Sequence, residues 1–141
     1  MNRPDTLAEL VRRVKVDRRE WHRALAGFLD TFYSEPDRRR SMIRDEPEFL
    51  GDPQSDAVLG AIGEHLARRW GLEIPAWTAH RGRFLTKPYF PTSLEGLKPL
   101  LIAQSPLAFR RRPIFVEHEP LARARMPRTA PKSNEARPKP A

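Results

Sequence analysis

Apolar residues in the first half of the chain recur at helical spacing. Leu7, Leu10, Val11 and Val14 follow an i, i+3, i+4, i+7 pattern with Glu9, Arg12, Arg13 and Lys15 on the other side. This predicts an amphipathic helix starting near Asp5 or Thr6. Trp21, Ala24, Leu25, Phe28, Leu29 and Phe32 form a second, broader face. Asp17 followed by Glu20 resembles a capping box and marks a helix start or a kink, and Ser34-Glu35-Pro36 ends that helix. Residues 38–46 predict a short charged helix that offers only Met42 and Ile43 to a core before Pro47 stops it. Asp52 is a cap, Pro53 suits the first helical position, and Val58, Leu59, Ile62, Leu66 and Trp70 then share one face up to Gly71.

The pattern changes after Gly71. From Leu72 to Phe90 no period is sustained, yet Ile74, Trp77, Phe84, Leu85, Tyr89 and Phe90 are too apolar for a linker. An ordered aromatic loop laid across the helices is the expectation. Thr92 to Gln104 returns to helical spacing with Leu94, Leu97, Leu100, Leu101 and Ile102, and Pro99 should kink it. Ser105-Pro106 reads as cap and first position of a short helix through Arg112. Pro113-Ile114-Phe115-Val116 reads as a short edge strand, and Pro120 to Arg125 as one more helical turn. His65, next to Leu66, is expected on the helix surface. The fold class expected is mainly α, with four to six short helices in one compact domain at residues 5–125. Residues 126–141, almost without apolar side chains, should be a disordered, basic, Pro-rich tail.

Charge divides the chain where the pattern does. The 141 residues carry 26 basic and 18 acidic side chains, net +8, and Arg outnumbers Lys by 21 to 5. Residues 1–74 hold 13 basic and 14 acidic groups, whereas residues 75–141 hold 13 and 4 and contain 11 of the 15 prolines. The excess of charge therefore belongs to one half. With no cysteine, disulfides, thiolate metal sites and a Cys nucleophile are excluded. No apolar run is long enough for a signal peptide or a membrane span, so a cytoplasmic protein is expected.

Catalytic signatures are absent: there is no phosphate-cradling glycine loop, no GxSxG and no HExxH. His22, His65, His80 and His118 stand singly, and Glu117-His118-Glu119 has poor geometry for one ion in an extended segment. No catalytic residue, metal or cofactor is expected. Arg112 and His118 have the spacing of a helical ribonuclease pair, but Pro113 argues against one helix holding both. The basic triplets are Arg38-Arg39-Arg40, surrounded by Glu35, Asp37, Asp45 and Glu46, and Arg110-Arg111-Arg112. The first should pair with its own acids. The second has no Asp or Glu between Pro99 and Val116, so its carboxylate must come from elsewhere in the fold, from a partner or from a phosphate. Structural and anion-binding uses are both open, and one Arg of each triplet can turn inward.

Trp77, Arg83-Phe84-Leu85, Phe90, Leu94-x-x-Leu97, the run Ser105 to Val116, and Leu121-x-Arg123-Ala124 resemble a small uncharacterised bacterial family over about residues 45–125. In related proteins a similar region looks like the C-terminal half of helix-turn-helix regulators in antitoxin-like arrangements beside nucleotidyltransferase-like proteins. Residues 1–45 show no helix-turn-helix, so DNA binding does not carry over. The resemblance implies an interaction module. The function expected is thus a non-catalytic, antitoxin-like or regulatory protein docking an acidic protein partner, in this family's setting nucleotidyltransferase-like. Its basic face would comprise Arg81, Arg83, Lys87, Arg110, Arg111 and Arg112, with Tyr89 and Phe90 as aromatic contacts. A nucleic-acid-binding accessory is the alternative, suggested by a pI near 10.7. A small ribonuclease using His118 ranks third.

Overall fold

A computed structural model describes residues 3–91 and 97–127. Among these residues the fold is mainly helical, with α1 Leu7–Val16, α2 Trp21–Ser34, α3 Arg39–Arg44, α4 Pro53–Arg69, α5 Lys98–Gln104 and α6 Leu107–Arg110. Thr6 caps α1 by accepting from the Glu9 amide at 3.0 Å, and Leu7, Leu10, Val11 and Val14 are buried as their spacing predicts. Asp17 accepts from the Arg19 amide at 3.0 Å and so caps a 3₁₀ turn, Arg18–Glu20, that joins α1 to α2. The two helices pack on each other, and Val11, Val14, Phe28 and Phe32 belong to the core they share.

Between α2 and α3, one arginine of the first triplet does turn inward. Arg39 is buried and donates to the Phe32 and Tyr33 carbonyls at 2.7 and 3.1 Å, closing the last turn of α2. Of its neighbours, Arg38 pairs with Glu35 as expected, but it also reaches Asp5, and Arg40 pairs with Glu73, both acids outside the set around the triplet.

α4 is the axis of the domain. Eleven of its 17 residues are buried, which places it inside the fold. Gly51 turns the chain into it at φ +93°, and the buried Asp56 carboxylate accepts the Leu50 and Gly51 amides at 2.6 and 3.2 Å. Asp52 caps Ser55. Gly71, at φ +72°, closes the helix, and the Leu72 amide reaches back to the Ala67 carbonyl at 2.8 Å. The aromatic loop then crosses α4 in two 3₁₀ turns, Ala76–Ala79 and Arg81–Arg83, and buries Trp77, whose indole donates to the Ile43 carbonyl at 3.0 Å.

The second half differs from expectation in five places. Pro99 does not kink a helix, because α5 begins at Lys98 and the proline occupies its first turn, where a missing amide costs nothing. Ser105 does not cap α6. Its hydroxyl instead lies within reach of the Leu101 and Val116 carbonyls, which share its single proton, and accepts from the Val116 amide at 2.8 Å. α6 ends at Arg110 rather than Arg112. Residues 113–116 form no strand but one parallel bridge, Tyr89 to Ile114, because Pro113 lends only its carbonyl to Tyr89. Residues 120–125 form turns, not a helix, and are strapped down: Tyr33 Oη donates to the Leu121 carbonyl at 2.8 Å, and Arg123 grips Asp30 with two 2.9 Å bonds. The expected tail beyond residue 127, and residues 92–96 of the expected helix, lie outside the described residues.

Candidate docking face and the arginine–glutamate cluster beneath it

Arg112 and Arg83 are completely buried, and they are so because α4 supplies what they need. Glu64, 1% exposed, takes Arg112 Nη1 on one carboxylate oxygen at 2.6 Å. Its other oxygen accepts Arg68 Nε at 2.6 Å and Arg111 Nη1 at 2.8 Å. The remaining donors of Arg112 go to carbonyls: Nε to Arg83, Nη1 also to Ala108, and Nη2 to Thr78, at 2.9, 2.8 and 2.6 Å. One guanidinium thus ties the 3₁₀ turns and α6 to α4, and the Phe84 ring covers it at 4.3 Å. Burial alone would raise the Glu64 carboxyl, but the three arginines hold it below its ordinary value.

Arg83 is the second tie. Its Nη2 donates to the Pro47 carbonyl at 2.6 Å and lies 3.5 Å from Glu46, and its guanidinium stacks 3.9 Å from the Phe49 ring centre. Such close approach to a helix requires small residues on it. A Cβ at Gly60 would lie 2.7 Å from Arg83 Cβ and 3.1 Å from Arg112 Nε, and one at Gly63 would lie 2.7 Å from the Trp77 ring. Gly60→Ala is therefore expected to destabilise the domain by about 1–3 kcal/mol. In an ordinary helix the same change gains about 1 kcal/mol. Chemical denaturation decides between the two signs, and a gain would mean that the arginines have room to move.

These contacts correct the expected docking set. Arg83 and Arg112 cannot touch a partner because no part of either is at the surface. The acid-free stretch has its carboxylate inside the fold, in Glu64. The ribonuclease pairing loses its geometry as well, since Arg112 is enclosed while His118 is exposed and lies outside any helix. His65 is also not a surface residue: it is buried edge-on to Phe109, with ring centres 5.7 Å apart.

The remaining candidates lie further out. Arg111 bridges the two levels, with one nitrogen on Glu64 and 43% of its side chain exposed. Arg110 is exposed and donates to the Ser105 carbonyl at 2.7 Å. Arg81 and Lys87 are exposed, with no ion pair among the described residues, and no contact joins them to Arg110. Tyr89 and Phe90 are half-buried; Phe90 stacks on Phe115 at 5.2 Å and lies under Lys98 Nζ at 4.8 Å. Four exposed apolar residues absent from the expected set stand in the same stretch of chain as Arg110 and Arg111: Leu97, Leu100, Ile102 and Leu107, each 43–53% exposed, while α5 buries only Leu101. Sequence reasoning missed them because their helical spacing promised burial. It missed Glu64, His65 and the Gly60-x-x-Gly63 pair because α4 is buried almost all round. The glycine spacing was the available signal, since two small residues one turn apart mark a close approach.

The fold and this site define a mainly α domain held by buried guanidinium groups and exposing apolar and basic side chains on α5 and α6. Comparison with protein-family models, with curated proteins and with solved structures finds no match to the chain.

Proposed function

We propose that this chain is a non-catalytic binding module that docks an acidic protein surface through α5, α6 and the adjoining loop. The observation that carries this reading is the company kept by the exposed apolar side chains. Leu97, Leu100, Ile102 and Leu107 are accompanied by Lys98, Arg110 and Arg111, with no Asp or Glu anywhere from 97 to 116. Apolar residues bordered by cations suit a partner whose apolar patch has an acidic border. A phosphate backbone, in contrast, makes no use of the leucines. The resemblance of residues 45–125 extends the proposal to an antitoxin-like or regulatory role, with a nucleotidyltransferase-like protein as the partner class.

Binding partners captured from bacterial lysate on the full chain, compared with Leu100→Asp and Arg110→Glu, test this. Both side chains are exposed, so the fold should survive, and the specific partner should bind about 30-fold or more weaker to each variant. Equal retention by wild type and variants would remove this face as the docking surface. Should the chain instead bind any duplex with an affinity that falls steeply with salt, the nucleic-acid reading replaces it.

A further inference from the structure

The core also opens to solvent away from the exposed α5 and α6 side chains, at a place whose wall shares Tyr89 with the docking loop. A cleft of about 500 Å³ is bounded by the α1–α2 turn, the first turns of α4 and the 113–121 segment. Nine partly buried apolar side chains pack against the core, and six of them, Trp21, Leu25, Leu50, Val58, Tyr89 and Val116, line this cleft. Its floor is made of fully buried core residues, among them Val14, Ile62 and Ile114. Apolar walls, one open side and this volume are the usual properties of a small-molecule site.

The polar rim narrows the ligand. Asp52 and Ser55 are occupied with each other at the start of α4. Arg18 forms no ion pair among the described residues and spends one nitrogen on a long 3.4 Å bond to the Leu50 carbonyl. The indole N–H of Trp21, the hydroxyl of Tyr89 and the side chains of His22 and Gln54 make no hydrogen bond among the described residues. Against these donors stands one unengaged acid, Glu117, which belongs to the 113–121 segment and not to the α1–α2 turn. Unengaged donors thus predominate around Arg18, the rim's one arginine, whose field also reaches the Asp52 carboxylate. We infer that the cleft binds a small amphipathic carboxylate, with its apolar body on the Leu25, Val58 and Tyr89 walls. Its carboxylate lies at Arg18, where Trp21 Nε1 and His22 can add hydrogen bonds, and away from Glu117.

Octanoate, octanol and octylamine share one apolar body and differ in the head group, so their titration into the full chain, followed by tryptophan fluorescence and by amide NMR shifts, tests the site. Octanoate should bind at least about tenfold tighter than octylamine and perturb residues 18–25, 54–62 and 114–121. Arg18→Gln, a change at an exposed side chain, should bring octanoate down to the level of octanol without altering octanol. Val58→Trp should fill the cleft and abolish binding of both. Preference for octylamine overturns the carboxylate assignment, and so does an unchanged octanoate affinity in Arg18→Gln. Failure of all three probes to bind overturns the site itself. Should Val58→Trp not fold, Leu25→Trp takes its place at the half-buried opposite wall.

Discussion

Glu64→Gln should cost the fold about 3–5 kcal/mol, the range measured when one partner of a buried ion pair is removed. The change is nearly isosteric, so little packing is lost. What it removes is the one carboxylate paired with Arg112 among the described residues, in a place where no part of Arg112 meets solvent. Arg111 and Arg68 lose the same partner, but both are more than 40% exposed, so water replaces it and their share of the loss is small. Domains of this size are stable by about 5–15 kcal/mol, so the variant should sit near the threshold of folding. The double substitution Glu64→Leu with Arg112→Met should recover only part of the loss, because it removes both buried charges but leaves the Arg83, Ala108 and Thr78 carbonyls without the donors that Arg112 gives them. Urea denaturation of the three proteins measures this. A loss below about 1 kcal/mol in Glu64→Gln would mean that Arg112 is held by the carbonyls of Arg83, Ala108 and Thr78 alone.

Acid should weaken the domain well before its carboxylates titrate. Burial holds the His65 imidazole neutral and lowers its pKa from 6.5 to about 4; Glu119 opposes the shift and Arg69 adds to it. The unfolded chain therefore binds a proton between these values that the folded chain refuses. Stability is fully present above about pH 6.5, falls as the pH drops toward 4, and has lost this contribution, about 3 kcal/mol, below that. Glu64 and Asp30 are held below their ordinary carboxyl values, so their losses come at lower pH. His65→Phe should flatten stability between pH 6.5 and 4.5 while leaving the more acidic limb in place. An unchanged slope in that variant would assign the titration to other groups.

The neutral half of the chain was largely legible in its sequence because the interactions that set it are local. Thr6, Asp52, Pro53 and Gly71 act within one turn of where they stand; the periodic face of α1 is buried as its spacing predicts, and that of α2 is buried at Ala24, Phe28, Leu29 and Phe32 but only partly at Trp21 and Leu25. The arginine-rich half was less legible for a matching physical reason. Whether Arg110, Arg111 or Arg112 faces water depends on an acid 46 to 48 residues earlier, and nothing in the triplet distinguishes the three. Proline was misread for the same cause: Pro99 in its segment looked like an interruption, and only the observed start of α5 makes it a beginning. The aromatic loop could be foreseen as ordered, since Trp77 and its neighbours needed burial. That Arg83 would be buried with them could not be foreseen, because a guanidinium enters a core only where carbonyls and rings already wait for it.

The span between Glu64 and Arg112 also sets the order of events while the chain is being made. α4 leaves the ribosome with an acid in the middle of what must become an interior helix; Arg68, four residues on, pairs with one of its oxygens, but Arg112, the buried partner of the other, follows 48 residues later. Until then, burying α4 would leave Glu64 with Arg68 alone and its inner oxygen unpaired, so the first three helices have no stable axis to close upon. The Tyr33 bond to Leu121 and the Asp30 grip on Arg123 lie 88 and 93 residues apart and come later still. A helical protein built this way folds as one unit and late, despite the strong local signals at its start. Nascent chains that end before α6 are, on this account, substrates for chaperones and proteases rather than half-built domains.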